Sequence, residues 1–235
     1  MKTVILAGGF GTRLQPVLKG LPKPLAPVNS QCFLEYLLEY LKKNEFYDYI
    51  FCLHHMAGKI IEYFGRGDKM GVRIYYSIEE NPMGTGGAIG LLRGILNEAF
   101  CVVNADTYLE LDMKDYIEVH KNSGALATIA VTKVTDICRY GRVELDHDGY
   151  VKNFLEKENG SQEEGYINAG MYIFEPGIFA YIPEKQFISL EKEVFPALLQ
   201  VKEKIKSYSK VENFFDIGIP SDYENFQQWI NNAQP

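Results

Sequence analysis

Hydrophobic positions change their period more than once along the chain. Residues 2–7 (KTVILA) form a short apolar run closed by glycines, the pattern of a buried strand. Residues 33–43 (FLEYLLEYLKK) switch to a helical period, with Leu34, Leu37, Leu38 and Leu41 on one face. Strand patterns recur at 49–53, 72–76 and 100–103, with helical patterns at 56–64 and 87–97 between them. This β-α-β-α-β order predicts a mostly parallel central sheet with helices on both faces, joined by right-handed crossovers. Past residue 125 the helical stretches thin out. Residues 126–133, 142–146, 150–155 and 166–174 read as a smaller β-rich part, with Asp148-Gly149 turning a hairpin. Helices return at 189–201 and 221–231, the second with Ser221 as N-cap and Glu224 three residues on. No repeat, low-complexity segment or flexible linker interrupts residues 1–235, which read as a single domain.

Composition narrows the partners. The net charge of -7 argues against a broad nucleic-acid surface, because phosphate contacts need clustered Lys and Arg. It leaves room for a small anionic ligand held by a few cations and backbone N–H groups. No apolar run approaches the ~20 residues that span a bilayer, and MKTVILAGG is no signal peptide, so no membrane role is expected. Cys32, Cys52, Cys101 and Cys138 never form a C-x-x-C pair and read as free thiols of a reducing, cytoplasmic compartment. The Tyr and Phe content hints at a partner surface and a homo-oligomer.

The richest chemistry lies in residues 6–28, LAGGFGTRLQPVLKGLPKPLAPV, directly after the first strand, where parallel α/β sheets bind ligands. Gly8, Gly9 and Gly11 permit close backbone approach, so consecutive N–H groups can cradle a phosphate. Thr12 adds a hydroxyl and Arg13 a guanidinium able to grip phosphate oxygens in pairs. Pro22 and Pro24 stiffen the backbone around Lys23, which lowers the entropy lost when that lysine orders on an anion. The string contains no Walker A motif, and Leu14 stands where a dinucleotide fingerprint needs its third glycine.

The same string resembles the signature of the sugar-phosphate nucleotidyltransferases, G-G-x-G-T-R-L-x-P-x(n)-P-K-P-[LM]-x-P-[VI], and further motifs extend the resemblance to residue 223. Its departure, VLKGL between Pro16 and Pro22, is similar to the branch that activates heptose 1-phosphates with GTP. The resemblance implies a Rossmann-like catalytic fold, with 1–125 mainly nucleotide-binding and 126–235 mainly sugar-binding. It implies transfer of a nucleoside monophosphate from a triphosphate to a sugar 1-phosphate, yielding a nucleotide sugar for surface polysaccharide. Leu6, Ala7, Gly8, Gly9, Gly11 and Thr12 would meet the nucleotide, and Arg13 and Lys23 would act on the reacting phosphates. Mannose 1-phosphate guanylyl transfer, uridylyl or thymidylyl transfer, and a non-catalytic nucleotide-binding relative are the alternatives.

Asp106, just past a buried strand in VVNADTY, and Asp216, in FFDIGIPSDY, are the candidate magnesium ligands that the resemblance supplies. Two hard carboxylates together with phosphate oxygens suit Mg²⁺. The resemblance further implies base and ribose contacts at Glu79, Gly84 and Thr85. Pyrimidine-specific members tend to carry glutamine where Glu79 stands; a carboxylate instead accepts the adjacent imino and amino groups of guanine, which favours GTP. On the sugar side it implies Gly141, Glu156, Lys157, Asn168 and Gly170. Asp112, Asp115 and Asp222 read as caps and solvated charges.

Overall fold

In the computed structural model, residues 1–135, 137, 140–155 and 163–233 are described. Cys138, Glu156 and Lys157 lie outside them. The chain runs through β1 (Thr3–Leu6), a short α1 (Gln15–Leu18), the small strands β2 (Pro27–Val28) and β3 (Gln31–Cys32), α2 (Phe33–Lys43), β4 (Asp48–Leu53) and α3 (Ala57–Phe64). It continues through β5 (Arg73–Ile78), α4 (Gly84–Gly90), β6 (Phe100–Asn104), β7 (Thr107–Leu111), α5 (Met113–Ser123) and β8 (Ala127–Val134). The hairpin β9 (Arg142–Leu145) and β10 (Val151–Leu155) precedes the long β11 (Gly165–Phe174). A π-helical turn (Leu190–Val194) leads into α6 (Phe195–Gln200), and β12 (Ile205–Tyr208), β13 (Val211–Asp216) and α7 (Pro220–Ala233) close the chain.

The central sheet has the order β10-β9-β11-β6-β1-β4-β5, with β8 and β12 branching from β11. Strands β6, β1, β4 and β5 pair in parallel, as the β-α-β order requires. β11 runs antiparallel to β6 and joins the parallel half to the β-rich half. Alternation along each strand builds a core on each face. Val4, Ile50, Cys52 and Val102 pack with α4 and α6, whereas Ile5, Phe51, Leu53 and Val103 pack with α2, α3, α5 and α7. The expected three layers are present.

The differences have local causes. Helix α4 begins at Gly84 and ends at Gly90 instead of spanning 87–97. Its first turn docks on residue 188, whose carbonyl accepts from the Gly86 and Gly87 N–H groups, and Gly94 at φ 80° turns the chain away from a helical path. Helix α7 opens on Pro220, so Ser221 lies inside the first turn and is not the N-cap. Helix α5 escaped the periodicity because its inward face includes His120, a polar residue buried against Thr128 and Glu175. Asp112 caps it, accepting from the Lys114 and Asp115 N–H groups.

Candidate active site

The glycine-rich turn starts where β1 stops. Ala7 N–H donates to the Cys52 carbonyl (2.9 Å) and Ala105 N–H donates to the Leu6 carbonyl (3.0 Å). The turn therefore sits over the carboxyl ends of three neighbouring parallel strands, β4, β1 and β6, where an α/β sheet opens into a crevice. A cleft of about 460 Å³ occupies this place. Residues 6–13, Lys23, Glu79, Gly84, Thr85 and Asp106 all line it, which unites the nucleotide-side residues expected from sequence. Thr12 and Arg13 are exposed where they line it.

Lys23 opens a short 3₁₀ turn between Pro22 and Pro24 and is only 9% exposed. Its Nζ donates to Asp106 Oδ2 at 2.7 Å and lies 3.9 Å from Asp216 Oδ1. The aspartates, far apart in sequence, meet because β13 pairs with β7 in a register that sets Asp216 opposite Thr107. Ile217 N–H then donates to the Asp106 carbonyl (3.0 Å) and fixes the junction. Burial, and after it the Asp106 carboxylate, push the Asp216 carboxyl above the ordinary range, while Lys23 pulls it back. Gly11, at φ 59°, lets the turn pass close to the lysine stem, where a Cβ would lie 3.2 Å from Lys23 Cβ.

Glu79 follows β5 and is buried at 7% exposure. Its Oε2 accepts the Met83 N–H (2.9 Å), and a Cβ at Gly8 would stand 3.1 Å from its Oε1. Glycine at position 8 thus leaves the carboxylate beside the turn. Burial raises the Glu79 carboxyl, opposed by the Met83 hydrogen bond and by His54.

Of the residues expected on the sugar side, the three that are described are arranged differently from those expected to meet the nucleotide. Gly141 is exposed and directly precedes β9, and Asn168 and Gly170 lie on β11; none of the three is among the residues that line the cleft. Both ends of the Asn168 amide already have protein partners: Nδ2 donates to the Tyr172 hydroxyl (2.8 Å) and Oδ1 accepts the Gly170 N–H (3.0 Å). Thr85 is similarly engaged, accepting from Leu190 N–H (2.8 Å) and donating to Glu191 Oε2 (3.0 Å). Sequence reasoning missed Glu191 and Tyr172, because neither belongs to a chemical motif that stands out from its neighbours.

Residues 2–232 match the nucleotidyl transferase family, and the chain belongs to it. It is 38% identical to D-glycero-alpha-D-manno-heptose 1-phosphate guanylyltransferase of Campylobacter jejuni, over 99% of this chain and 100% of that one. It is 37% identical to the mannose-1-phosphate guanylyltransferase catalytic subunit beta of Drosophila pseudoobscura, over 94% of this chain but 60% of that protein. Among solved structures, HddC from Yersinia pseudotuberculosis complexed with GMP-PN superposes with a TM-score of 0.84 at 35% identity, covering 97% of this chain and 99% of that chain.

Proposed function

We propose that this protein transfers a guanylyl group from GTP to a heptose 1-phosphate, releasing pyrophosphate and forming a GDP-sugar. The observation that carries the reading is Lys23 held between Asp106 and Asp216 in the cleft that the glycine-rich turn lines. The full-length similarity to a heptose 1-phosphate guanylyltransferase supports the sugar, and the buried Glu79 beside Gly8 supports the base. Glu79 Oε2 is tied to Met83, which aims the carboxylate while leaving it acceptor capacity for the imino and amino groups of guanine.

The reaction moves one phosphorus. An oxygen of the sugar phosphate bonds to the α-phosphorus as the bond to the β-phosphate oxygen breaks, and the electron pair leaves with pyrophosphate. The nucleophile is already an anion, so no general base is required. The chain must gather crowded oxyanions and hold them in line. Backbone N–H groups of the turn and the Arg13 guanidinium suit the pyrophosphate, and Lys23 suits the α-phosphate and the attacking phosphate. Gly141, Glu156 and Lys157 remain our candidates for the sugar phosphate.

Asp106 and Asp216 fit a Mg²⁺ site. They are hard oxygen donors converging on one ammonium, and among the described residues no third acidic, His or Cys side chain joins them to form a closed cage. Such a site leaves coordination positions for substrate phosphate oxygens, and the bound ion would neutralise charge on those phosphates. The buried thiols Cys32, Cys52 and Cys101 suit a reducing compartment, and we place the reaction in the cytoplasm.

Pyrophosphate release from GTP, UTP, dTTP, CTP and ATP, each offered with heptose, mannose and glucose 1-phosphates, tests base and sugar together. GTP with heptose 1-phosphate is the expected best pair; preference for mannose 1-phosphate or for a pyrimidine triphosphate would replace the corresponding half of the reading. Lys23→Ala is expected to lower turnover at least ~100-fold, the scale of removing one preorganised oxyanion partner. A chelator should abolish turnover, and added Mg²⁺ should restore it.

A further inference from the structure

Thr85 on α4 lines the cleft and Asn168 on β11 does not, yet one carboxylate links them. Glu191, half-buried in the π-helical turn, accepts the Thr85 hydroxyl on Oε2 (3.0 Å) and the Tyr172 hydroxyl on Oε1 (3.1 Å). The Ser189 hydroxyl also donates to Oε2 (2.9 Å). Tyr172 is fully buried, and its oxygen in turn accepts the Asn168 amide (2.8 Å). The chain Thr85–Glu191–Tyr172–Asn168 is therefore continuous through side chains. It runs from the first turn of α4, expected to meet the nucleoside, to the strand expected to hold the sugar.

Backbone contacts make the nucleoside end stiff. The Ile188 carbonyl accepts from Gly86 N–H (2.9 Å), and Ile188 N–H donates to the Met83 carbonyl (2.9 Å). Glu191 follows three residues later, in the turn that starts at Leu190, so these bonds tie that turn to Met83 and the start of α4. At the other end, the Asn168 side chain fixes Gly170 at φ 74°, which sets the path of β11 past Asn104 and Thr107. Asn104 also approaches the Tyr172 oxygen and, like Asp106, lines the cleft. A carboxylate is suited to this task because it offers about four lone-pair sites and no proton, so three hydroxyls can all donate to it at once.

Resting on the guanylyl-transfer reading above, we infer that Glu191 is a positioning residue that couples the nucleoside and sugar-phosphate halves of the site. Thr85 and Tyr172 act through it, as two ends of one brace. Removing any member releases both walls, so the effects must overlap instead of multiplying.

Steady-state pyrophosphate release tests this with T85V, Y172F, the T85V/Y172F double variant and E191Q, alongside thermal unfolding. Each single variant is expected to raise KM for both GTP and the sugar phosphate about three- to tenfold. The double variant should be no worse than twice the weaker single variant, because the brace is already broken. T85S, which keeps the hydroxyl, should return both KM values to within twofold of the unmodified protein and also carries the test if T85V does not fold. The inference is overturned if T85V changes KM for GTP alone, Y172F changes KM for the sugar phosphate alone, and the two effects multiply in the double variant. It is equally overturned if only the unfolding temperature moves. An unmodified protein that releases no pyrophosphate from any pair removes the transfer reading itself, a result distinct from multiplied effects in an active enzyme.

Discussion

Glu79 carries a charge that its surroundings make expensive, and this gives the site a pH signature. Burial raises its carboxyl, so the folded protein binds that proton more readily than the unfolded chain does. Its contribution to stability is therefore less favourable once pH rises through the interval between the unfolded and the folded value. The proposed guanine recognition runs the other way, since only the ionised carboxylate offers both oxygens as acceptors. As pH falls through the raised value, KM for GTP should climb while an exposed glutamate would still be charged. Glu79→Gln should raise KM for GTP about tenfold at neutral pH and flatten the acid limb, read from initial rates across pH. Gly170 offers a purely steric test. At φ 74° an added Cβ would lie 2.9 Å from Asn104 Nδ2 and 3.2 Å from Thr107 Oγ1. Gly170→Ala should cost about 1–3 kcal/mol in denaturant unfolding. At this scale much of the site was legible. Glycines, Arg13 and Lys23 stand out through residue type and spacing, and they line one cleft. Thr85 and Asn168 announce polarity but not partners; the hydroxyl bonds to Glu191 and the amide to Tyr172, which themselves share a hydrogen bond.

Secondary-structure elements were legible where their periodicity was clean. Helix α2 spans Phe33–Lys43 as its leucine spacing requires, and β1, β4 and β6 fall on their apolar runs. Helix α5 and strands β7, β12 and β13 were not legible. Each mixes charged and apolar residues because one side faces water or a polar partner, which blurs both the helical and the alternating pattern. The element with the largest consequence is α7. Phe226 on α7 is fully buried and packs within 4.8 Å of the Phe33 ring and 5.4 Å of the Phe215 ring, measured between centroids. The last helix thus clamps β13, and with it Asp216, onto the first half of the chain. Phe226→Ala should cost about 3–5 kcal/mol by chemical denaturation, the scale of a large buried aromatic truncated to alanine.

Across the whole molecule the two cores share strands β1, β4, β6 and β11, each presenting alternate residues to opposite faces. Neither face can lose its packing without disturbing the sheet that the other uses. Unfolding should accordingly be one cooperative event. The fluorescence of the single tryptophan, Trp229, which packs on the α2–α7 face, should change at the same denaturant concentration as far-UV circular dichroism. Separate midpoints would mean that the two halves fold independently.

The sequence by itself determined what depends on near neighbours: the apolar period of the first strands and of α2, the glycine turn after β1, and the proline-flanked Lys23. Steric freedom and local hydrogen bonding act over a few residues, so residue types in order are enough to express them. Tertiary structure decided what depends on register between distant strands. Asp216 meets Asp106 because β13 pairs with β7 in one alignment, and Glu191 meets Thr85 and Tyr172 because the 186–191 segment docks on α4. A one-residue slip between β7 and β13 would turn Asp216 to the opposite face. Packing of the whole chain selects between such registers, and no local pattern encodes that choice.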